Sequence, residues 1–156
     1  MHDTALLDQL SEDIGIARSL LELADEEFTA LSERDLARLQ AILARKQPLL
    51  ALLAQHGAQR SQYLSAHRLS ADAAGLQALA ARSAQGSELL ARAGTLDTLL
   101  QDCRNANERN GRLIRANRSA VAGLLDVLQG TQETPNLYDN RGGAARVSRP
   151  RPLSQA

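Results

Sequence analysis

The sequence predicts an all-α protein, an elongated antiparallel bundle or coiled coil of about three long helices with a flexible C-terminal tail. The first observation is composition: 44% of the 156 residues are hydrophobic but only 2% are aromatic, and leucine and alanine, which dominate, both favour helices. The second is that β-branched and aromatic residues, which favour strands, are scarce. The third is that the apolar residues recur at alternating steps of three and four, the spacing of one helix face.

The first helix is predicted to begin at Asp3 or Thr4, either of which can cap it, and to end near Ser32. Five acidic residues, Asp8, Glu12, Asp13, Glu22 and Glu26, fall beside its apolar stripe and are expected on the solvated side. The stripe itself keeps an unbroken heptad spacing and comprises Leu7, Leu10, Ile14, Ala17, Leu21, Ala24, Phe28 and Leu31.

A second helix is predicted after Ser32, which with Asp35 three residues later resembles a capping box. Pro48 lies inside this helix and predicts a kink or a restart, because proline removes one helix hydrogen bond and clashes with the preceding turn. The helix carries Leu36, Leu39, Leu43, Leu50 and Leu53.

Residues 65–87 are predicted to form a connector containing a short helix, with Ser70 or Asp72 as its cap. The third long helix then carries the longest heptad pattern of the chain, until Gly130 ends it and Pro135 prevents its resumption. Its predicted buried stripe comprises Leu89, Ala93, Leu96, Leu100, Cys103, Asn107, Asn110, Ile114, Asn117, Val121, Leu124 and Leu128.

Three asparagines, Asn107, Asn110 and Asn117, interrupt this stripe, and Gly111 lies beside them. A buried amide without partners costs about 1–3 kcal/mol, so two interpretations stay open. The asparagines fix register, as polar residues do in coiled-coil seams. Alternatively, this part of the stripe is open to water in the free protein and closes on a partner helix.

Residues 131–156 are predicted to form a flexible tail behind a helical domain of residues 1–130. The tail segment "TPNLYDNRGG" contains Leu137 and Tyr138, although the whole chain has only two Tyr, one Phe and no Trp. An exposed Leu–Tyr pair on a tether is a plausible anchor for a pocket on another protein. The alternative is that Tyr138 folds back on the helices.

The charges are unevenly distributed, although the net charge is zero. Residues 1–40 hold 10 acids and 3 bases, a balance of −7, and residues 101–156 hold 5 acids and 9 bases, a balance of +4. Nucleic-acid binding calls for a basic domain with aromatic residues for stacking, so the basic residues of the third helix are expected to be a solvated face that complements the acidic first helix. These are Arg104, Arg109, Arg112, Arg115 and Arg118.

Catalytic and metal-binding patterns are absent from the sequence. His2, His56 and His67 are isolated from one another and from other ligands at metal-binding spacing, and the single cysteine, Cys103, is expected to be a small buried hydrophobe. We therefore predict no enzyme, no metal, no cofactor and no small-molecule substrate. Neither a signal peptide nor a membrane-spanning segment is recognisable, which favours a cytoplasmic location.

The segment "NERNGRLIRANRSAVAGLLDVLQG", followed by "LYDNRGGA", closely resembles the FlgN family of flagellar export chaperones. Over nearly the whole chain the length, the helical layout and the acidic first helix are also similar, whereas the extended end "AARVSRPRPLSQA" departs from the family pattern. The family's N-x-x-N-G-x-L-I-x-x-N run is matched by Asn107, Asn110, Gly111, Leu113, Ile114 and Asn117, and its tail motif by Tyr138, Asp139 and Gly142.

The resemblance implies a chaperone that binds the C-terminal helical segments of the hook–filament junction proteins, prevents their premature assembly and delivers them to the type III export gate. It implies peripheral association with the membrane export apparatus and no cofactor. Client binding is implied for Leu113, Ile114, Asn117, Val121, Leu124, Leu125 and Leu128, and docking to the cytoplasmic platform of the gate for Leu137, Tyr138, Asp139 and Gly142. The alternatives are a structural homo-oligomeric coiled coil or, less favoured, a nucleic-acid-binding regulator.

Overall fold

The computed structural model describes residues 2–132, with side chains for residues 2–130, and the described part contains helices but no strands. The all-α prediction is confirmed, and the helix count differs from it by one short helix inside the predicted connector. The predicted tail lies outside the described residues. The helices are α1 (Asp3–Glu33), α2 (Leu36–Ala66), α3 (Ala73–Arg82) and α4 (Gly86–Gln132), and the described residues divide into two units between Leu113 and Ile114.

α1 is the central helix of the first unit because it buries two stripes rather than the one predicted. The predicted stripe meets α4, where the Cys103 thiol donates to the Ala17 carbonyl and the Asn110 amide to the Ala24 carbonyl. Phe28 is an exception, since 36% of it is exposed. The second stripe, which faces α2, comprises Leu6, Gln9, Asp13, Ile16, Leu20, Leu23, Glu27 and Ala30.

α2 runs antiparallel to α1, and of the five predicted leucines only Leu39 and Leu53 lie on its seam with α1. Leu36, Leu43 and Leu50 are 71%, 45% and 50% exposed. The helix continues through Pro48 without a restart. The side of α2 that contacts α1 follows alternating steps of three and four but includes charged residues, so a search for apolar residues alone does not find it. This seam comprises Leu39, Ile42, Lys46, Leu49, Leu53, His56, Arg60 and Tyr63.

The helix ends differ from two of the predicted caps. Asp35 itself caps α2 by accepting a hydrogen bond from the Arg38 backbone N–H at 3.0 Å, whereas Ser32 lies in the last turn of α1 and donates to the Phe28 carbonyl. The predicted capping box is therefore wrong. Asp72 caps α3 by accepting from the Gly75 N–H at 3.0 Å, as predicted.

Asp3 is the first residue of α1 and not its cap, because His2 occupies that position without a side-chain hydrogen bond. The Asp3 carboxylate instead accepts from Ser83 Oγ at 2.5 Å and from the Tyr63 hydroxyl at 3.0 Å. The bond from Ser83, together with that from Tyr63, lowers the pKa of Asp3, and burial together with Asp3 raises the pKa of Tyr63. Asp3 thus joins the start of α1 to α2 and to the turn before α4.

The turn between α3 and α4 requires a glycine for close packing. A Cβ atom at Gly86 would lie 1.9 Å from the carbonyl oxygen of Ala80, which no side chain tolerates. The tight turn lets α4 run parallel to α1 in the first unit, since Leu7 bonds to Arg92 and Ala24 to Asn110. No helix within residues 2–132 is long and apolar enough to cross a membrane.

Candidate interaction surface on the last helix

The part of α4 in the second unit carries a row of exposed apolar side chains. Val121, Leu124, Leu125 and Leu128 are 52%, 60%, 53% and 55% exposed. Single exposed leucines are ordinary on a protein surface, but a contiguous apolar face along several helical turns marks an interaction site. These four residues stand at positions i, i+3, i+4 and i+7, so they lie on one side of the helix.

The other predicted members of this surface are less exposed. Leu113, in the first unit, and Ile114 and Asn117, in the second, are half-buried. Asn117, Val121 and Leu125 line one shallow apolar depression together with Arg118 and Ala122. The prediction missed Val127, which is 65% exposed, because it falls outside the heptad positions. We call residues Ile114, Asn117, Val121, Leu124, Leu125 and Leu128 the α4 face.

The three asparagines occupy three different environments, so the prediction that all lie on the buried stripe is wrong. Asn110 is 1% exposed, whereas Asn107 is exposed and Asn117 half-buried. The reason is the path of α1 along α4, which contacts the side of Cys103, Ala106 and Asn110 and leaves Asn107 beyond the contact. Asn110 thus has the buried position that register control requires, whereas Asn107 and Asn117 have the accessible positions that an open stripe requires.

Asn110 connects α4 to α1 through a complete set of hydrogen bonds. Its amide nitrogen donates to the Ala24 carbonyl at 2.8 Å and to Glu27 Oε1 at 3.2 Å, and its oxygen accepts from Arg109 Nε at 3.2 Å. Glu27 also pairs with Lys46 of α2 at 3.0 Å. Glu27 is itself buried, so one carboxylate joins three helices.

A second buried carboxylate, Asp13, joins α1 to α2 and was missed by the sequence prediction, which placed it in solvent. Asp13 is fully buried, His56 Nδ1 lies 2.5 Å from its Oδ1, and Arg60 forms an ion pair with its other oxygen. Arg60 also donates to Gln9 Oε1 at 3.1 Å.

A sequence signal for these pairs does exist. Asp13 and Glu27 stand two heptads apart on α1, and their partners Arg60 and Lys46 stand two heptads apart on α2. Matching charges at matching spacing predict two rungs of an antiparallel pair. Because every buried side-chain polar atom in the described part of the chain has a partner, the rungs specify the register at little risk of unpaired charge.

Among the arginines of the predicted basic face of α4, Arg109 contacts the acidic first helix. Arg109 pairs with Asp25 at 3.1 Å, donates to the Ala24 carbonyl, and its guanidinium lies 4.3 Å above the Phe28 ring. This cation–π contact explains why a phenylalanine sits at the edge of the stripe. The arginines Arg104, Arg112, Arg115 and Arg118 are exposed.

The described residues show no arrangement typical of metal chemistry, since no three of the potential ligands His, Cys, Asp and Glu among them are grouped to hold a metal ion. Cys103 is buried, and burial raises the pKa of its thiol, which favours the protonated form. This agrees with its predicted role as a small buried hydrophobe. The predicted docking residues Leu137, Tyr138, Asp139 and Gly142 lie outside the described residues.

Comparison with known proteins gives a family match over most of the chain. The family model described as FlgN protein matches residues 1–146. The crystal structure of a proposed flagella synthesis protein FlgN from Pseudomonas aeruginosa is similar, with a TM-score of 0.69 and 44% sequence identity over 82% of this chain and 98% of that one. No match was found among the curated proteins.

Proposed function

This chain belongs to the FlgN family of flagellar assembly proteins, which is not a family of enzymes, and from that premise we propose that it is a flagellar export chaperone. Its clients are the C-terminal helical segments of the hook–filament junction proteins, which it keeps from assembling early and delivers to the type III export gate. It acts in the cytoplasm and associates only peripherally with the membrane export apparatus.

The observation that carries the proposal is the exposed α4 face. Its leucines and valine are more than half exposed, and full burial of each such side chain contributes about 1.5–3 kcal/mol. An amphipathic client helix that lays its apolar side on this face buries both surfaces at once, which is the helix-in-groove mode of recognition. The same contact hides the client's own assembly surface.

The asparagines suit a complex that must come apart at the gate. Asn107 and Asn117 are accessible to water, so their amides stay solvated when no client is bound and weaken the apolar contact when one is. Replacing both by leucine should therefore tighten client binding and slow release. Unchanged affinity and release in that variant would contradict this role.

We propose that the two parts of the chain have different roles. Residues 1–130 bind the client, and residues 131–156 contact the gate. In the tail, Leu137 and Tyr138 insert into a pocket of the cytoplasmic platform, and Asp139 and Gly142 complete the motif. Tyrosine provides a large contact area at low entropic cost, which suits an anchor on a tether.

The proposal is tested by titrating the purified chain with the C-terminal helical segment of a junction protein from the same organism. The wild type should bind at micromolar concentration or tighter, and Leu124→Asp with Leu128→Asp should weaken binding at least tenfold. The matched control adds two charges to exposed positions on the opposite side of the helix, Ala116→Asp with Ser119→Asp, and should bind like the wild type.

Failure of the wild type to bind would contradict the proposed function. A stable multimer in sedimentation that the client segment does not change would support the structural coiled-coil alternative instead. Equal losses in the face variant and in its control would show that added charge, rather than the lost apolar contact, weakens the complex.

A further inference from the structure

An apolar groove lies within the first unit between α2 and α4, with α1 as its floor, and α3 and the loop before it also line its first cavity. It consists of two adjoining cavities of about 320 Å³ and 200 Å³, whose walls share Leu100. Leu6 and Leu10 line the first cavity and Leu20 lines the second. The lining is mostly apolar, so the groove presents the surface that an amphipathic helix would cover.

The α2 wall of the groove explains why a leucine of this helix is exposed. Leu50 lines the second cavity beside Leu53, yet 50% of Leu50 is exposed. Of the leucines predicted on α2, Leu39 and Leu53 lie on the seam with α1, and Leu53 also lines the second cavity. The apolar side of α2 therefore extends from the seam with α1 to the wall of the groove.

The α4 wall continues the pattern of the α4 face. Ala93, Leu96, Leu100, Cys103 and Asn107 line the groove and follow steps of three and four. Along the sequence the same spacing leads to Asn110, Ile114, Asn117 and Val121. In the sequence, the residues of α4 that line the groove and the heptad residues of the α4 face thus follow one continuous spacing of three and four.

The charged lining differs between the two cavities. Asp72, Asp97 and Arg60 line the first cavity, where Arg60 is paired with Asp13, and Lys46 and Arg104 line the second. Lys46 is paired with Glu27, whereas Arg104 is exposed, donates to Gln101 Oε1 at 2.9 Å and forms no ion pair with a described carboxylate. Arg104 is thus the cation of the second cavity that is available to a partner.

We propose that this groove is a second part of the client-binding surface, an inference that rests on the proposed function. Its occupant is an amphipathic client helix with an apolar stripe and with a carboxylate at the end that lies against Arg104. The lining stretch of α4, residues 93–107, spans about 20 Å at 1.5 Å per residue, which sets the docked helix at about four turns. The client footprint then includes Leu50 and Leu100.

The chain's own tail fits this groove less well. Residues 133–156 contain three prolines, which do not belong in a helix interior, and four arginines against two acids. That sequence would place positive charge against Arg104. An acidic amphipathic client helix is complementary to the same end of the groove, so charge favours the client.

The test measures anisotropy of a fluorescent junction-protein C-terminal segment with the full chain and its variants. Leu50→Asp should raise Kd about tenfold, the effect of one lost central apolar contact. Arg104→Glu should raise Kd about threefold and reduce its salt dependence. The control Arg112→Glu makes the same charge change at an exposed position outside the groove and should leave Kd within about twofold.

The outcomes separate this inference from the proposed function. If Leu50→Asp and Arg104→Glu bind like the wild type while Leu124→Asp with Leu128→Asp does not, the groove inference is overturned and the proposed function stands. If the wild type does not bind the segment, both fail. Leu50 and Arg104 are exposed enough for the variants to fold, and equal thermal melts by circular dichroism would verify this.

Discussion

Asn110→Ala is the substitution that most sharply separates the two kinds of asparagine in the family motif. Asn110 is 1% exposed and donates to Ala24 and Glu27, and accepts from Arg109. Asn107, three residues earlier on the same helix, is exposed. The two substitutions change the same chemical group and differ only in what surrounds it.

The expected magnitude follows from the bonds that are lost. A neutral hydrogen bond contributes about 1 kcal/mol and one to a charged group about 1.5–3 kcal/mol. Glu27 keeps Lys46 as a partner and Arg109 keeps Asp25, so the lost bonds to Ala24 and Glu27 dominate, at about 1 and 2 kcal/mol. Asn110→Ala should therefore lower the free energy of unfolding by about 3 kcal/mol, whereas Asn107→Ala should change it by less than about 0.5 kcal/mol.

The assay is urea unfolding of the full chain, followed by circular dichroism at 222 nm, with the midpoint converted through the m-value. The isosteric variant Asn110→Asp removes the donor hydrogens and places a second carboxylate beside Glu27, so it should be at least as destabilising as alanine. Equal stability of Asn107→Ala and Asn110→Ala would refute the reasoning, because it would mean that Asn110 does not join the helices.

Three further substitutions test other parts of the account. Asp13→Ala leaves the Arg60 cation without its partner and should lower the free energy of unfolding in urea by about 3–5 kcal/mol. The control Asp8→Ala, at an exposed position, should lower it by less than about 0.5 kcal/mol. Similar losses in the two variants would mean that Asp13 is exposed to solvent. Asp3→Asn should destabilise the protein at pH 7. Because the pKa of Asp3 is lowered in the folded state from 3.8, its contribution is present above pH 3.8 and lost as the pH falls through the folded-state pKa, so the two unfolding curves should converge in acid; a constant difference would contradict this. Tyr138→Ala should leave unfolding and client affinity unchanged and reduce binding to the purified gate platform, whereas a loss of stability would indicate that Tyr138 packs on the helices.

The long helices were predictable because their leucines and alanines keep a regular spacing, and the connector because of its serine, aspartate and glycine. The α1–α2 seam was missed by the search for apolar spacing, since its rungs are charged: Asp13 and Arg60 look like surface residues in an apolar pattern, and only the matching spacing of opposite charges on the two helices indicates them. α1 also buries two stripes, and a search for a single apolar stripe found only one of them. The pattern gives the spacing of contacts but not which neighbour supplies them.

The α4 face was predicted from a resemblance, and the apolar spacing of Val121, Leu124 and Leu128 supports it independently. The different fates of the asparagines could not be predicted. Asn107 and Asn110 occupy adjacent seam positions, and only the path of α1 decides which is buried. Such a choice depends on long-range packing that local sequence does not encode.

The most direct test of the central claim is amide hydrogen exchange of the full chain, measured by mass spectrometry with and without the junction-protein C-terminal segment. Amides of residues 114–128 should exchange more slowly in the complex, because a client helix on the α4 face suppresses local opening of α4. Exchange in the tail around Tyr138 should stay unchanged without the gate. Protection confined to other helices, with residues 114–128 exchanging as in the free protein, would contradict the claim that this face binds the client.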